Sequence, residues 1–122
     1  MRSWTVAEAN AALPRVAALV QRIREASAEV HERGEAARDR AGGNGHVPPA
    51  EFTTTEVRQA AEELAADGIV LRDPEQGLVD FPAQSRDGRP YWLCWRVGEE
   101  AVMWWHWPED GFAGRRPVSE AP

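Results

Sequence analysis

Seven side chains in the second half of the chain are of types suited to chemistry: Asp80, Cys94, Glu99, Glu100, His106, Asp110 and Arg115. Asp80, Glu99 and His106 supply the carboxylate and imidazole groups that divalent ions take as ligands. Arg115, with Arg116 beside it, carries the planar donor fork that recognises phosphate or carboxylate, although neutralising nearby acids is its commoner role. No motif joins these groups into a catalytic plan. The chain has no HExxH, no paired Cys-x-x-Cys, no phosphate loop, no GxGxxG after a strand and no GxSxG. Cys94 has no base assigned to it and reads as a small buried hydrophobe. Glu99 and Glu100 read as solvated turn carboxylates.

Whether these groups meet depends on the strands that carry them. The stretch 77–107 holds five of the six tryptophans, and from Ile69 onward apolar residues recur with period two. This pattern predicts four antiparallel strands over 69–72, 78–83, 90–97 and 101–107, joined by turns at Asp73 to Gly77, Asp87-Gly88 and Gly98-Glu99. If the last two are two-residue turns, Phe81 faces Cys94, Asp80 faces Trp95, Cys94 faces Met103 and Tyr91 faces His106. Phe81, Trp92, Cys94 and Trp105 then cover the helices, with Arg96 as the lone charge among them in need of a partner. The opposite face mixes Asp80, Tyr91, Trp95, Trp104 and His106, with Glu99 and Arg115 nearby. It is too apolar to stand in water, so a partner subunit, a ligand or the C-terminal tail must cover it. In this register Asp80 and His106 lie about four residues apart along the strands, roughly 13 Å, which counts against a shared metal. Asp80, between Val79 and Phe81, requires Arg72 or a backbone donor.

The preceding residues read as the support for this sheet. Thr5 and Glu8 form a capping box with Trp4 as staple, opening a helix over 5–40 whose seam is Val6, Ala9, Leu13, Val16, Val20, Ile23, Ser27 and Val30. Pro14 predicts a kink in it. A Gly/Pro linker spans 41–52, and Phe52, Thr53 and Glu56 repeat the capping device for a second helix over 53–67 that stops at Gly68. Residues 108–122 form a tail in which Phe112 is the expected anchor.

The totals set outer limits. A chain of 122 residues fits one α+β domain, an antiparallel helical hairpin on a four-stranded meander. Its net charge of -6 disfavours nucleic acid and anionic membranes. One cysteine and no signal-like or membrane-length apolar run point to the cytosol.

The residues Thr5-x-x-Glu8-Ala9-Asn10-x-x-Leu13-Pro14, Gly68-Ile69 with Asp73, Gly77-Leu78-Val79-Asp80-Phe81-Pro82, Leu93-Cys94-Trp95-x-x-Gly98-Glu99, Trp105-His106 and Gly111-Phe112-x-Gly114-Arg115 resemble, in order and over nearly the whole chain, the bacterial family catalogued as domain of unknown function 2203. Trp4 stands where that family carries Phe. The resemblance carries over no activity, and it identifies no cofactor for a chain whose cofactors the sequence leaves unknown. It directs attention to Asn10, Asp80, Trp95, Glu99, His106 and Arg115 without giving any of them a role.

The expectation that follows is a homodimeric interaction or scaffold module, whose partner surface is Asp80, Tyr91, Trp95, Glu99, Trp104, His106 and Arg115. The alternative is a small-ligand or divalent-metal protein or enzyme using Asp80, Glu99 and His106. A concave pocket holding two of those three within hydrogen-bond reach would favour the alternative.

Overall fold

Thr5 and Glu8 close the capping box reciprocally: the Thr5 amide donates to Glu8 Oε1 at 3.0 Å and the Glu8 amide to Thr5 Oγ1 at 3.1 Å. Helix α1 (Val6–Asp39) starts there and continues through Pro14. The structure is a computed structural model that describes residues 2–39 and 51–122, and the side chains of 2–26 and 55–122. Residues 41–50 of the expected linker, the Phe52–Thr53 cap contacts and the seam positions Ser27 and Val30 lie outside the described residues or side chains, while 51 and 52, expected in the linker, are helical.

Within the described part of α1, the predicted seam is the buried face: Ala9, Leu13, Val16, Val20 and Ile23 are all in the core. Helix α2 (Glu51–Ala66) packs against α1 and buries Ala60 and Leu64. It begins two residues before the expected cap at Thr53, because threonine lowers helix propensity by only a few tenths of a kcal/mol and cannot stop a helix unaided. Its end is as predicted. The Ile69 amide reaches Leu64 O at 3.0 Å and the Gly68 amide reaches Ala65 O at 2.9 Å, a Schellman pair that needs Gly68 at φ 74°.

Five antiparallel strands follow, in the spatial order of the chain: β1 (Val70–Asp73), β2 (Leu78–Gln84), β3 (Pro90–Arg96), β4 (Trp104–His106) and β5 (Arg116–Pro117). The sheet therefore has one strand more than expected, contributed by the tail. Trp105 is the reason: its backbone pairs with Arg116 and its Nε1 donates to Pro117 O at 3.0 Å.

Register is the larger correction. Ser85 and Arg89 close the β2–β3 hairpin, with the Ser85 amide donating to Arg89 O at 2.9 Å and the Arg89 amide to Ser85 Oγ at 2.9 Å. Three residues, Arg86, Asp87 and Gly88, thus form the loop where two were expected, and Gly88 takes φ 85° in the manner of a turn followed by a G1 bulge. The Ser85 hydroxyl also bonds the Asp87 carboxylate. Pairing moves by one residue: Asp80 faces Cys94, Phe81 faces Leu93 and Val79 faces Trp95. Between β3 and β4 the chain makes a longer excursion over 97–103, and pairing moves by one again, so that Cys94 faces Trp104 and Trp92 faces His106.

Because side chains alternate, each slip moves a strand's set to the other face. Tyr91, Leu93 and Trp95 turn inward with Val79, Phe81 and Trp105. Trp92, Cys94 and Arg96 turn outward with Asp80, Trp104 and His106. Arg96 is accordingly exposed and needs no buried partner; its guanidinium lies 5.7 Å from the Phe112 ring. Pro82 provokes no bulge. It lies beyond the β1 pairing, which ends at Val70 opposite Asp80, so its missing N–H interrupts no ladder, while its carbonyl accepts from the Trp4 amide at 2.6 Å.

Candidate functional site

The outer face of the sheet gathers three buried polar side chains from adjacent strands: Asp80 of β2, Cys94 of β3 and His106 of β4. Asp80 is 2% exposed and His106 3%. Two slips in the same direction bring His106 to the diagonal of Asp80, and the separation of about 13 Å expected from two-residue turns becomes a contact of 3.0 Å between His106 Nε2 and Asp80 Oδ2.

A third group reaches the same oxygen. The β1–β2 ladder passes from the pair Leu71↔Val79 to Asp73↔Leu78, leaving Arg72 as a bulged residue. Arg72 Nε donates to Asp80 Oδ2 at 2.9 Å while its guanidinium lies 4.9 Å from the Trp92 ring. The sequence requirement that Asp80 find Arg72 is met. Asp80 Oδ1 is buried and has no hydrogen-bond partner among the described residues.

The imidazole is fixed from both sides. His106 Nδ1 lies 2.8 Å from Trp107 O, and a carbonyl only accepts, so Nδ1 carries a hydrogen. Nε2 therefore faces Asp80 Oδ2. Beside this pair, burial, followed by the negative charge of Asp80, pushes the Cys94 thiol up to about 12. Cys94 is protonated in this state and is no free nucleophile. It nevertheless has the neighbours that the sequence reading denied it, since the donor atoms of Asp80, Cys94 and His106 all lie within 4.8 Å of one another.

Glu99 does not join them. Its Oε1 accepts from the Arg96 amide at 2.7 Å and from Arg115 Nη2 at 2.5 Å, and its carbonyl accepts from Trp95 Nε1 at 3.0 Å. The paired side chains of Arg115 and Glu99 are only 12% and 14% exposed. Arg115 lies 4.7 Å from the Phe112 ring and 5.2 Å from Trp104, pinning over the sheet the return segment, residues 107–115, that joins β4 to β5. That anchor was expected of Phe112, which is 40% exposed; a guanidinium with a carboxylate partner fixes a short segment in direction as well as position.

Asn10 resolves in the same way. Its Oδ1 accepts from the Val102 amide at 2.8 Å and its Nδ2 donates to Val102 O at 3.5 Å, so a side-chain amide on α1 pairs with a backbone in place of a strand. Of the expected surface residues, Asp80, Trp104 and His106 share the outer face. Tyr91 and Trp95 belong to the core, while Glu99 and Arg115 are a structural clasp. Glu100 and Asp110 are exposed. Arg72 and Cys94 are the members of the cluster that sequence reasoning left out of the candidate site. Ser85, Asp87 and Gly88 carried the available clue, because a Gly at the end of a three-residue loop sets the register that includes Cys94.

Between the sheet and the return segment lies a cleft of about 260 Å³, with Asp80, Cys94 and His106 on its floor and Arg72, Pro108 and Phe112 among its walls. A broader groove of about 520 Å³ runs beside α1, along Pro14, Ala17 and Trp95. Two of its polar groups, Asn10 and Glu99, are already committed to bonds within the fold. The smaller cleft thus has the convergent polar groups of a binding site.

Residues 2–118 match the model of a family described as an uncharacterized conserved protein, DUF2203. No curated protein and no solved structure matches the chain. The chain belongs to the DUF2203 family.

Proposed function

We propose that this DUF2203 protein binds a small polar ligand in the cleft floored by Asp80, Cys94 and His106. The observation that carries this reading is the Asp80–His106 pair itself: two groups within 3.0 Å, both nearly fully buried, lining a concavity. Burying polar groups this deeply is costly unless their hydrogen-bonding capacity is used, and Asp80 Oδ1 has capacity to spare. At about 260 Å³ the cleft falls just below the roughly 300–1,000 Å³ of drug-sized sites. Its ligand is accordingly of small-metabolite size.

Arg72 gives the ligand a sign. Nε is committed to Asp80, while the rest of the guanidinium, 44% exposed as a side chain, has no hydrogen-bond partner among the described residues. It suits a carboxylate or phosphate group at the cleft wall. The test is imidazole NMR of His106 during titration with inorganic phosphate and a panel of short mono- and dicarboxylates. Saturable shifts that vanish in Asp80→Asn and shrink in Arg72→Met support the reading. Flat titrations across the panel overturn it.

The interaction-module reading stands as a second proposal with less support. A homodimer built on the outer face would lack Tyr91, Leu93 and Trp95. Among the described residues only Met103 and Phe112 are exposed large hydrophobics, at 43% and 40%. Native mass spectrometry counts the subunits directly. We read the two packed helices as an antiparallel hairpin, and the single unbonded cysteine suits a reducing, cytosolic setting. No helix among the described residues is long and apolar enough to cross a membrane.

A further inference from the structure

Resting on that reading of the cleft, we propose that Asp80, Cys94 and His106 are the protein ligands of a zinc-class divalent metal ion whose fourth position opens to the cleft. Three different donor types, carboxylate, thiolate and imidazole, are the set that zinc accepts, and a sulfur donor selects against magnesium and calcium. Three protein ligands with one open position is the arrangement of ligand-accessible zinc, as opposed to structural zinc.

The geometry supports each ligand separately. The three residues come from three adjacent hydrogen-bonded strands, so their Cα positions are set by the ladder and not by a loop. Their donor atoms lie within 4.8 Å of one another, and the shortest recorded separation is 3.0 Å. Donors of a tetrahedral zinc lie roughly 3.3–3.6 Å apart at ordinary bond lengths, between those limits. His106 has the orientation that metal-binding imidazoles take, with Nδ1–H given to the Trp107 carbonyl and Nε2 left for the ion. Asp80 is divided the same way: Arg72 holds Oδ2, and Oδ1 is the buried oxygen with no partner among the described residues.

Charge is also consistent. A thiolate and a carboxylate balance the two positive charges of the ion, and Arg72 acts on Asp80 from outside the coordination sphere. On binding, the Cys94 thiol hydrogen leaves to solvent and the metal takes its place, with Nε2 binding in its unprotonated form.

The test uses the full chain, stripped with chelator and titrated with Zn²⁺ followed by native mass spectrometry, and with Co²⁺ followed by absorption spectroscopy. The expected result is one ion per chain and a sulfur-to-cobalt charge-transfer band. Because Cys94 is the chain's one cysteine, such a band has a single source even if a variant fails to fold. Cys94→Ser should abolish the band, and it and His106→Gln should each weaken zinc by more than the roughly 10–100-fold typical of outer-shell changes. The double variant His31→Ala/His46→Ala, which removes the other two histidines, should keep both band and stoichiometry. Absence of stoichiometric zinc, a cobalt complex without the sulfur band, or zinc affinity indifferent to Cys94→Ser and His106→Gln overturns the site. A protein that ignores zinc while its His106 signals respond to small anions overturns the metal alone; one that ignores both overturns the cleft reading too.

Discussion

Asp80 of β2 and Cys94 of β3 are direct cross-strand partners, and the β3–β4 pairing of Cys94 with Trp104 then brings His106 to the same cluster. In the neighbouring register Asp80 would face Trp95, the thiol would lie in the core, and His106 would be out of reach. Three loop residues between Ser85 and Arg89 decide the first of these contacts, and the longer excursion over 97–103 decides the last.

Gly88 is the residue that holds the loop between Ser85 and Arg89. It sits at φ 85° with open space where a Cβ would go, so substitution meets conformational strain and no clash. Gly88→Ala should destabilise the protein by about 1–2 kcal/mol, and Gly88→Asn by less, since Asn tolerates that region better. Urea denaturation of the three proteins gives the order directly.

In the metal-free protein, Cys94 makes stability fall in alkaline solution. Burial raises its folded-state pKa from 9.0 to about 12, so its contribution is complete below pH 9. It is lost progressively between pH 9 and about 12, where the unfolded chain releases a proton that the folded one keeps. The slope due to this thiol approaches about 1.4 kcal/mol per pH unit in that window. Burial raises Tyr91 in the same direction, so wild type should lose stability with a steeper slope than Cys94→Ala. Equal slopes in pH-dependent unfolding would contradict the shift.

Asn10 serves the backbone of Val102 with both ends of its amide. Asn10→Ala leaves a part-buried N–H and C=O to find other partners, and about 2 kcal/mol should be lost. Amide hydrogen exchange should show the loss at Val102.

Arg115 and Glu99 should be strongly coupled. Each nearly buried partner is costly once alone, so Arg115→Met and Glu99→Gln should each cost about 2–3 kcal/mol, while the double variant should cost clearly less than their sum. In either single variant the Val118 amide, which bonds Met103 O at 2.9 Å, should exchange faster as the return segment loosens.

Gly77 tests the seat of the sheet on α1. A Cβ there would collide with Val97 Cγ2 and meet Val20 Cγ1 at 3.1 Å, at a φ of 66°. Gly77→Ala combines overpacking with backbone strain and should cost about 2–4 kcal/mol, visible as a lowered melting temperature.

Local devices were legible in the sequence. The Thr5–Glu8 box, the α1 seam from Ala9 to Ile23, the Gly68–Ile69 stop and the antiparallel meander all depend on residues within a few positions of one another, where side-chain type and spacing are the whole of the physics. The site was not legible in the same way. A strand with apolar residues on both sides, such as Tyr-Trp-Leu-Cys-Trp over 91–95, has no polar alternation to say which face is buried, so its orientation is left to the turns. A turn that admits either two or three loop residues leaves that choice to packing. Burying Tyr91, Leu93 and Trp95 against the helices settled it and carried Cys94 to Asp80, and the second slip, between β3 and β4, brought His106. The fifth strand and the Arg115–Glu99 clasp likewise join residues more than ten positions apart in the chain. The sequence determined the elements and their order; tertiary packing decided the register, and with it which side chains share the cleft.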